Sequence, residues 1–180
     1  MHSLLDAYLC KRFPKLLAQR YLPMTETCMC WGFDCGDGWF HLLLTTCIAL
    51  QGHIDARERE ITDYERYVAE GEKLDYPKPT PVPQVVFHQV KEKFARLEIY
   101  HHGGDATTTA IIDFASLMSC SICDVCGTTK EVGISPNGWN VTTCQTHARS
   151  MDNFTRNDDE ELLAIWETIK AEKATPKTTT

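Results

Sequence analysis

The sequence predicts an α+β protein, mostly helical, built as a single domain with a small antiparallel sheet and a compact Cys/His module. Three observations carry this. Apolar residues recur at helical spacing in several separate stretches. Two short runs rich in β-branched and aromatic residues, "QVVFHQV" and "RLEIYHH", lie between them. Two pairs of metal-type residues, Cys123/Cys126 and Cys144/His147, flank a turn sequence. A chain of 180 residues can bury one good core with a small appended module, but not two full-sized domains.

The first helix is expected over about Ser3 to Cys10 and a second from Pro14, because proline fits the first helical turn and breaks a continuing one. Leu5, Tyr8, Leu9, Leu16 and Leu17 would face inward. After "TETCMCWGFDCGDG", the residues Phe40, Leu43, Leu44, Cys47 and Ile54 follow helical spacing, so a long helix is expected from about Trp39, with Asp37 as its cap. It turns polar after His53 and continues through "DAREREITDYERYVAEGEKLDY", whose interleaved charges suit a solvated face. Residues 1–76 thus form a helical N-terminal part containing the CGDGW segment.

"PKPTPVP" excludes helix, which makes 77–84 an extended linker. Residues 85–151 hold the strands, a helix and the Cys/His module of the same domain. The two strand runs are separated by "KEKFA", read as a turn or short helical piece. A helix from Thr107 to Ser119 would bury Ile111, Phe114, Ala115 and Met118. Residues 152–173 read as a C-terminal helix, with the acids of "NDDEE" at its N-terminal end and the helical spacing repeated at Leu162, Ile165, Trp166 and Ile169. Residues 174–180 read as a disordered tail.

Cys123-x2-Cys126 and Cys144-x2-His147 supply four thiolate or imidazole donors at the spacing of two metal-binding turns. "SPNG" between "KEVGI" and "WNVTT" can fold the intervening residues into a hairpin. This is a zinc-ribbon-like module. Four protein ligands leave no open position for water, which points to a structural rather than a catalytic zinc. Cys120 is read as a buried thiol, and Trp139 as a lid on the site unless its indole is exposed, which would mark a contact surface.

The CGDGW region admits three readings: a tight glycine turn with thiols and tryptophans in the core, a second metal site using Cys28, Cys30 and Cys35, or a ligand site. In the last, Trp31 or Trp39 would stack on a ring, the helix start at Asp37 would meet an anion, and Lys91, Lys93 and Arg96 would supply positive charge. The nucleotide-binding and hydrolase signatures G-x-x-x-x-G-K-[ST], G-x-G-x-x-G, G-x-S-x-G and H-E-x-x-H are absent from the sequence. The best catalytic cluster is "YHHGGD", with His101, His102 and Asp105. Neighbours on a strand point to opposite faces, which argues for a polar strand end instead. The chain is therefore expected not to be an enzyme.

A formal charge of −7 argues against generic nucleic-acid binding. The charge is uneven: Met1 to Thr27 carries four basic residues against two acids, whereas His53 to Asp75 carries eight acids against four bases, which leaves room for a local anion site. No apolar run approaches a membrane span. "MHSLLDAYLCKRFPK" lacks the features of a secretory signal, and nine cysteines without one suggest metal binding and free thiols in the cytoplasm rather than disulfides.

Taken together, "GFDCGDGW", "VKEKF" and "CDVCG…GW…CQTH" resemble a family of small, uncharacterised proteins encoded by tailed phages and prophages. The resemblance spans roughly Arg12 to His147. Members carry a glycine pair after KEKF and an arginine on the next strand, where this chain has Ala95, Arg96 and Glu98. It implies an accessory protein of the host bacterial cytosol that binds and inhibits or modulates a host protein, such as an antiviral-defence component. Sequestration of a small anionic ligand, for example a signalling (cyclic) nucleotide, is the alternative. A zinc-dependent hydrolase and a nucleic-acid binder come after these.

Overall fold

The computed structural model describes residues 1–136, 139–148 and 154–174. Its elements run α1 (Ser3–Arg12), β1 (Phe33–Asp34), α2 (Phe40–Ala69), β2 (Val86–Lys93), β3 (Arg96–His102), α3 (Ala106–Ser119), β4 (Val132–Pro136), β5 (Asn140–Cys144), β6 (Thr155–Arg156) and α4 (Glu160–Ala174). Short 3-10 turns lie at Cys28–Trp31, Asp37–Trp39 and Gln145–His147. The α+β class is as expected, and no helix among the described residues is long and apolar enough to cross a membrane.

The helix expected from Pro14 does not form. Residues 14–20 make successive turns instead, and the Leu16 carbonyl accepts from the Phe87 N–H at 2.8 Å, which docks the segment beside β2. Leu9, Leu16 and Leu17 enter the core while Tyr8 stays exposed. Arg20 ties this segment back to α1, its Nε donating to Asp6 Oδ1 at 2.9 Å, and its Nη1 donates to the Cys30 carbonyl. A buried carboxylate needs such a partner, because an unpaired charge in the interior is costly.

α2 is the longest element. Leu43, Cys47, Leu50 and Ile54 pack its first half into the core, and the second half is solvated and carries ion pairs such as Arg66–Asp63 at 2.7 Å. Its N-terminus departs from expectation. Asp37 opens the preceding 3-10 turn and its carboxylate accepts from the His2 N–H, so it does not cap α2. The 77–84 linker has no regular structure, yet Val82 is buried and the Pro83 carbonyl accepts from Gly104.

Two three-stranded sheets form, where one small antiparallel sheet was expected. The first has the order β1-β2-β3, with β1 parallel and β3 antiparallel to β2, and it buries Phe33, Val90, Leu97 and Ile99 against the helices. "KEK" belongs to β2, and the reversal is a two-residue turn in which Phe94 and Ala95 both have positive φ, 53° and 65°. The register slips between Phe87 and Gln89, leaving His88 as the extra residue of a bulge. The second sheet, β5-β4-β6, is antiparallel throughout. Asn137 and Gly138 of the expected SPNG turn, and residues 175–180 of the expected tail, lie outside the described residues.

α3 is capped by Asp105, whose carboxylate accepts from the Thr108 N–H in a reciprocal capping box. Its buried face is Thr108, Ile112, Ala115 and Ser119, rotated from the expected one. Of the expected set only Ala115 is buried, Ile111 is half-buried, and Phe114 is 62% exposed. The cause is close approach. Small residues let the α3 backbone reach β3, where the Leu97 N–H donates to Ser119 Oγ at 2.9 Å. On α4, Leu162, Ile165 and Trp166 of the expected stripe are exposed and Ile169 is half-buried.

Candidate metal centre

The four donors predicted from spacing converge. Cys123 and Cys126 sit in the turn between α3 and β4, Cys144 ends β5, and His147 closes the 3-10 turn that follows. Their ligand atoms lie within 4.8 Å of one another. Cys126 Sγ is 3.9 Å from Cys144 Sγ, and His147 Nδ1 is 3.7 Å from Cys123 Sγ and 3.3 Å from Cys144 Sγ. Ligands about 2.3 Å from a tetrahedral metal are separated by roughly 3.8 Å, so the four donors stand near the corners of a coordination tetrahedron. They can hold a metal ion.

The electrostatics fit that use. Burial pushes the Cys123 thiol up, but the backbone N–H groups of Cys126, Cys144 and Val125 and the His147 ring outweigh it and bring the thiol down to about 7. A thiolate cradled by backbone donors is the form that binds metal. Cys120 stays outside the group: its half-buried Sγ faces the Ser116 carbonyl at 3.8 Å. Cys28, Cys30 and Cys35 form no such group among the described residues, and burial pushes the Cys35 thiol up to about 12.

The CGDGW segment packs on this centre. The Gly36 N–H donates to Asp124 Oδ1 at 2.7 Å, the Gly38 N–H donates to the Asp124 carbonyl at 2.8 Å, and Trp39 Nε1 donates to the Ile122 carbonyl at 2.8 Å. A methyl group on Gly38 would lie 2.1 Å from the Cys123 carbonyl oxygen and 2.4 Å from the Gly127 nitrogen, both backbone atoms. Only glycine permits this approach. Neither the glycines nor Asp124 was singled out as functional in the sequence. The available signal was the Gly-Asp-Gly spacing directly before the long helix.

The remaining candidates are dispersed. Trp39 is fully buried, and Asp37 is engaged by His2, so neither can stack on or cap a ligand as expected. Trp31 is exposed on its 3-10 turn. Lys91 and Lys93 lie over the Tyr100 ring on the solvent face of the first sheet, and Arg96 opens β3. Asp34 pairs with Lys91 in the β1–β2 register and Glu98 in the β2–β3 register, which dilutes the positive charge there. Trp139 is 55% exposed, donates to Glu92 and stacks on Phe94 with ring centroids 6.2 Å apart, so it marks a surface rather than a lid.

The "YHHGGD" residues go three ways. His102 Nδ1 meets His88 Nε2 at 2.7 Å, while His101 Nδ1 is buried without a hydrogen-bond partner. Asp105, while capping α3, also meets His53 Nε2 at 2.9 Å. No shared site results. Between α2 and α3 runs an apolar groove of about 620 Å3, lined among others by Leu42, Ala49, Ile111, Phe114 and Met118. No protein-family model, curated protein or solved structure matches this chain.

Proposed function

We propose that this protein is a zinc-stabilised, non-catalytic binding protein that attaches to a host protein and inhibits or modulates it. The metal is zinc because three thiolates and one imidazole at tetrahedral spacing suit an ion that has no ligand-field preference and accepts both donor types. Four protein donors fill its coordination sphere, so its work is structural. The motif resemblance to phage and prophage proteins supports a host protein as the target.

The observation that carries the reading is the α2/α3 groove. Because α3 buries its Thr108, Ile112, Ala115 and Ser119 side, Phe114, Met118 and the half-buried Ile111 line an apolar groove beside Leu42. An amphipathic helix of a partner fits such a groove with apolar anchors one turn apart. Phe114→Glu should abolish capture of the partner from bacterial lysate, with the zinc content and thermal midpoint unchanged, whereas Lys91→Glu should leave capture intact. The anionic-ligand alternative rests on Lys91, Lys93, Arg96 and Trp31. Native mass spectrometry that finds one zinc and a further releasable mass in the nucleotide range would favour it and overturn the reading above.

A further inference from the structure

The CGDG loop touches the metal-binding turn at more points than tethering a loop requires. Gly36 reaches the Asp124 side chain, Gly38 reaches the Asp124 carbonyl, and Trp39 reaches the carbonyl of Ile122. These acceptors lie on residues immediately before and after the ligand Cys123. The same turn is closed internally by the Gly127 N–H donating to the Cys123 carbonyl at 2.8 Å, and Gly38 lies flat against that bond. The bond from the Gly36 N–H holds the Asp124 side chain turned toward the loop.

We propose that residues Cys35–Gly38 form an outer clasp of the metal centre: the loop sets the affinity of the four donors for their ion, and the bound ion in turn sets the order of the loop and of the start of α2. This rests on the metal-binding reading of Cys123, Cys126, Cys144 and His147. The physical basis is pre-organisation. Two of the donors, Cys123 and Cys126, belong to one tight turn whose backbone must stay folded before an ion arrives, and groups that orient the metal ligands typically change affinity about 10- to 100-fold. The coupling is reciprocal by thermodynamic necessity. Both walls of the α2/α3 groove end at this clasp: α2 begins two residues after Gly38, and α3 ends four residues before Cys123. Metal loading would thus also fix one end of the groove.

The test is competition for Zn2+ between the full chain and a chromophoric chelator. Gly38→Ala and Asp124→Ala should each weaken zinc binding about 10- to 100-fold. Asp124→Asn should bind like the parent, because its amide oxygen can still accept from Gly36 while the charge is gone. Gly52→Ala, where an added methyl meets nothing within 4 Å, serves as the control and should be neutral. Should Gly38→Ala fail to fold, hydrogen exchange on the parent decides: removing zinc should deprotect residues 36–43 together with 122–128, and leave β2 and β3 protected. Parent-like affinity in folded Gly38→Ala and Asp124→Ala, or unchanged exchange in residues 36–43, overturns the clasp alone. A parent chain that takes up no zinc overturns the metal reading and the clasp with it.

Discussion

Tryptophans and histidines of similar appearance in the sequence have unlike roles. Trp39 and Trp139 each follow a glycine, yet Trp39 is fully buried with its N–H on the Ile122 carbonyl, and Trp139 lies on the surface against Phe94. His88 and His102 pair on the face of the first sheet, where Gln19 Oε1 accepts from His88 Nδ1 at 2.9 Å if that nitrogen carries the proton. Burial and the neighbouring His102 and His101 rings lower the His88 value from its usual 6.5. Folding then favours the neutral ring, so this contribution to stability is whole above about pH 6.5 and is lost as the pH falls through the folded value. His102→Gln removes the nearest like charge. An NMR titration of the His88 ring should then move to higher pH, and an unmoved curve would assign the shift to burial and His101.

At the scale of elements, periodicity located most of the helices and strands because it reflects local backbone geometry. It oriented α2 correctly but not α3. The α3 face was misread since Ile111, Phe114 and Met118 are more apolar than Thr108 and Ser119, while the contact with β3 selects side chains small enough for close approach and a hydroxyl that accepts from Leu97. The turn of the first hairpin is a second case. Phe94 and Ala95 both occupy the left-handed region, where a β-carbon costs roughly 1–2 kcal/mol. The turn is held from outside: Ala95 N–H donates to Glu92 Oε1, and Thr142 Oγ1 donates to the Ala95 carbonyl. Phe94→Asn, an exposed position given a residue that tolerates this conformation, should stabilise the protein by about 0.5 kcal/mol in urea denaturation. A clear loss of stability would instead give the Phe94–Trp139 stack a structural weight greater than the strain.

For the whole molecule, the two apolar clusters differ in kind. The main core draws on α1, α2, both long strands and Ile112 of α3, and is large enough to stand by itself. The second is only Cys123, Val132 and Cys144. A nucleus of three residues cannot by itself offset the conformational entropy of the surrounding turns, and under the proposed zinc binding the metal supplies the difference. Chelation should lower the thermal midpoint and open residues 120–148 to limited proteolysis, with the Val86–His102 hairpin still resistant. An unchanged melt and cleavage pattern after verified metal loss would refute this.

The sequence by itself determined the α+β class, most of the helices and strands, and the four metal-type donors, because each depends on spacing along the chain and on covalent geometry. Only the tertiary structure decided where the CGDGW segment packs, which face of α3 is buried and which tryptophan is exposed. Gly36 and Asp124 are 88 residues apart, and their meeting follows from how α2 and α3 pack side by side, which no local pattern encodes.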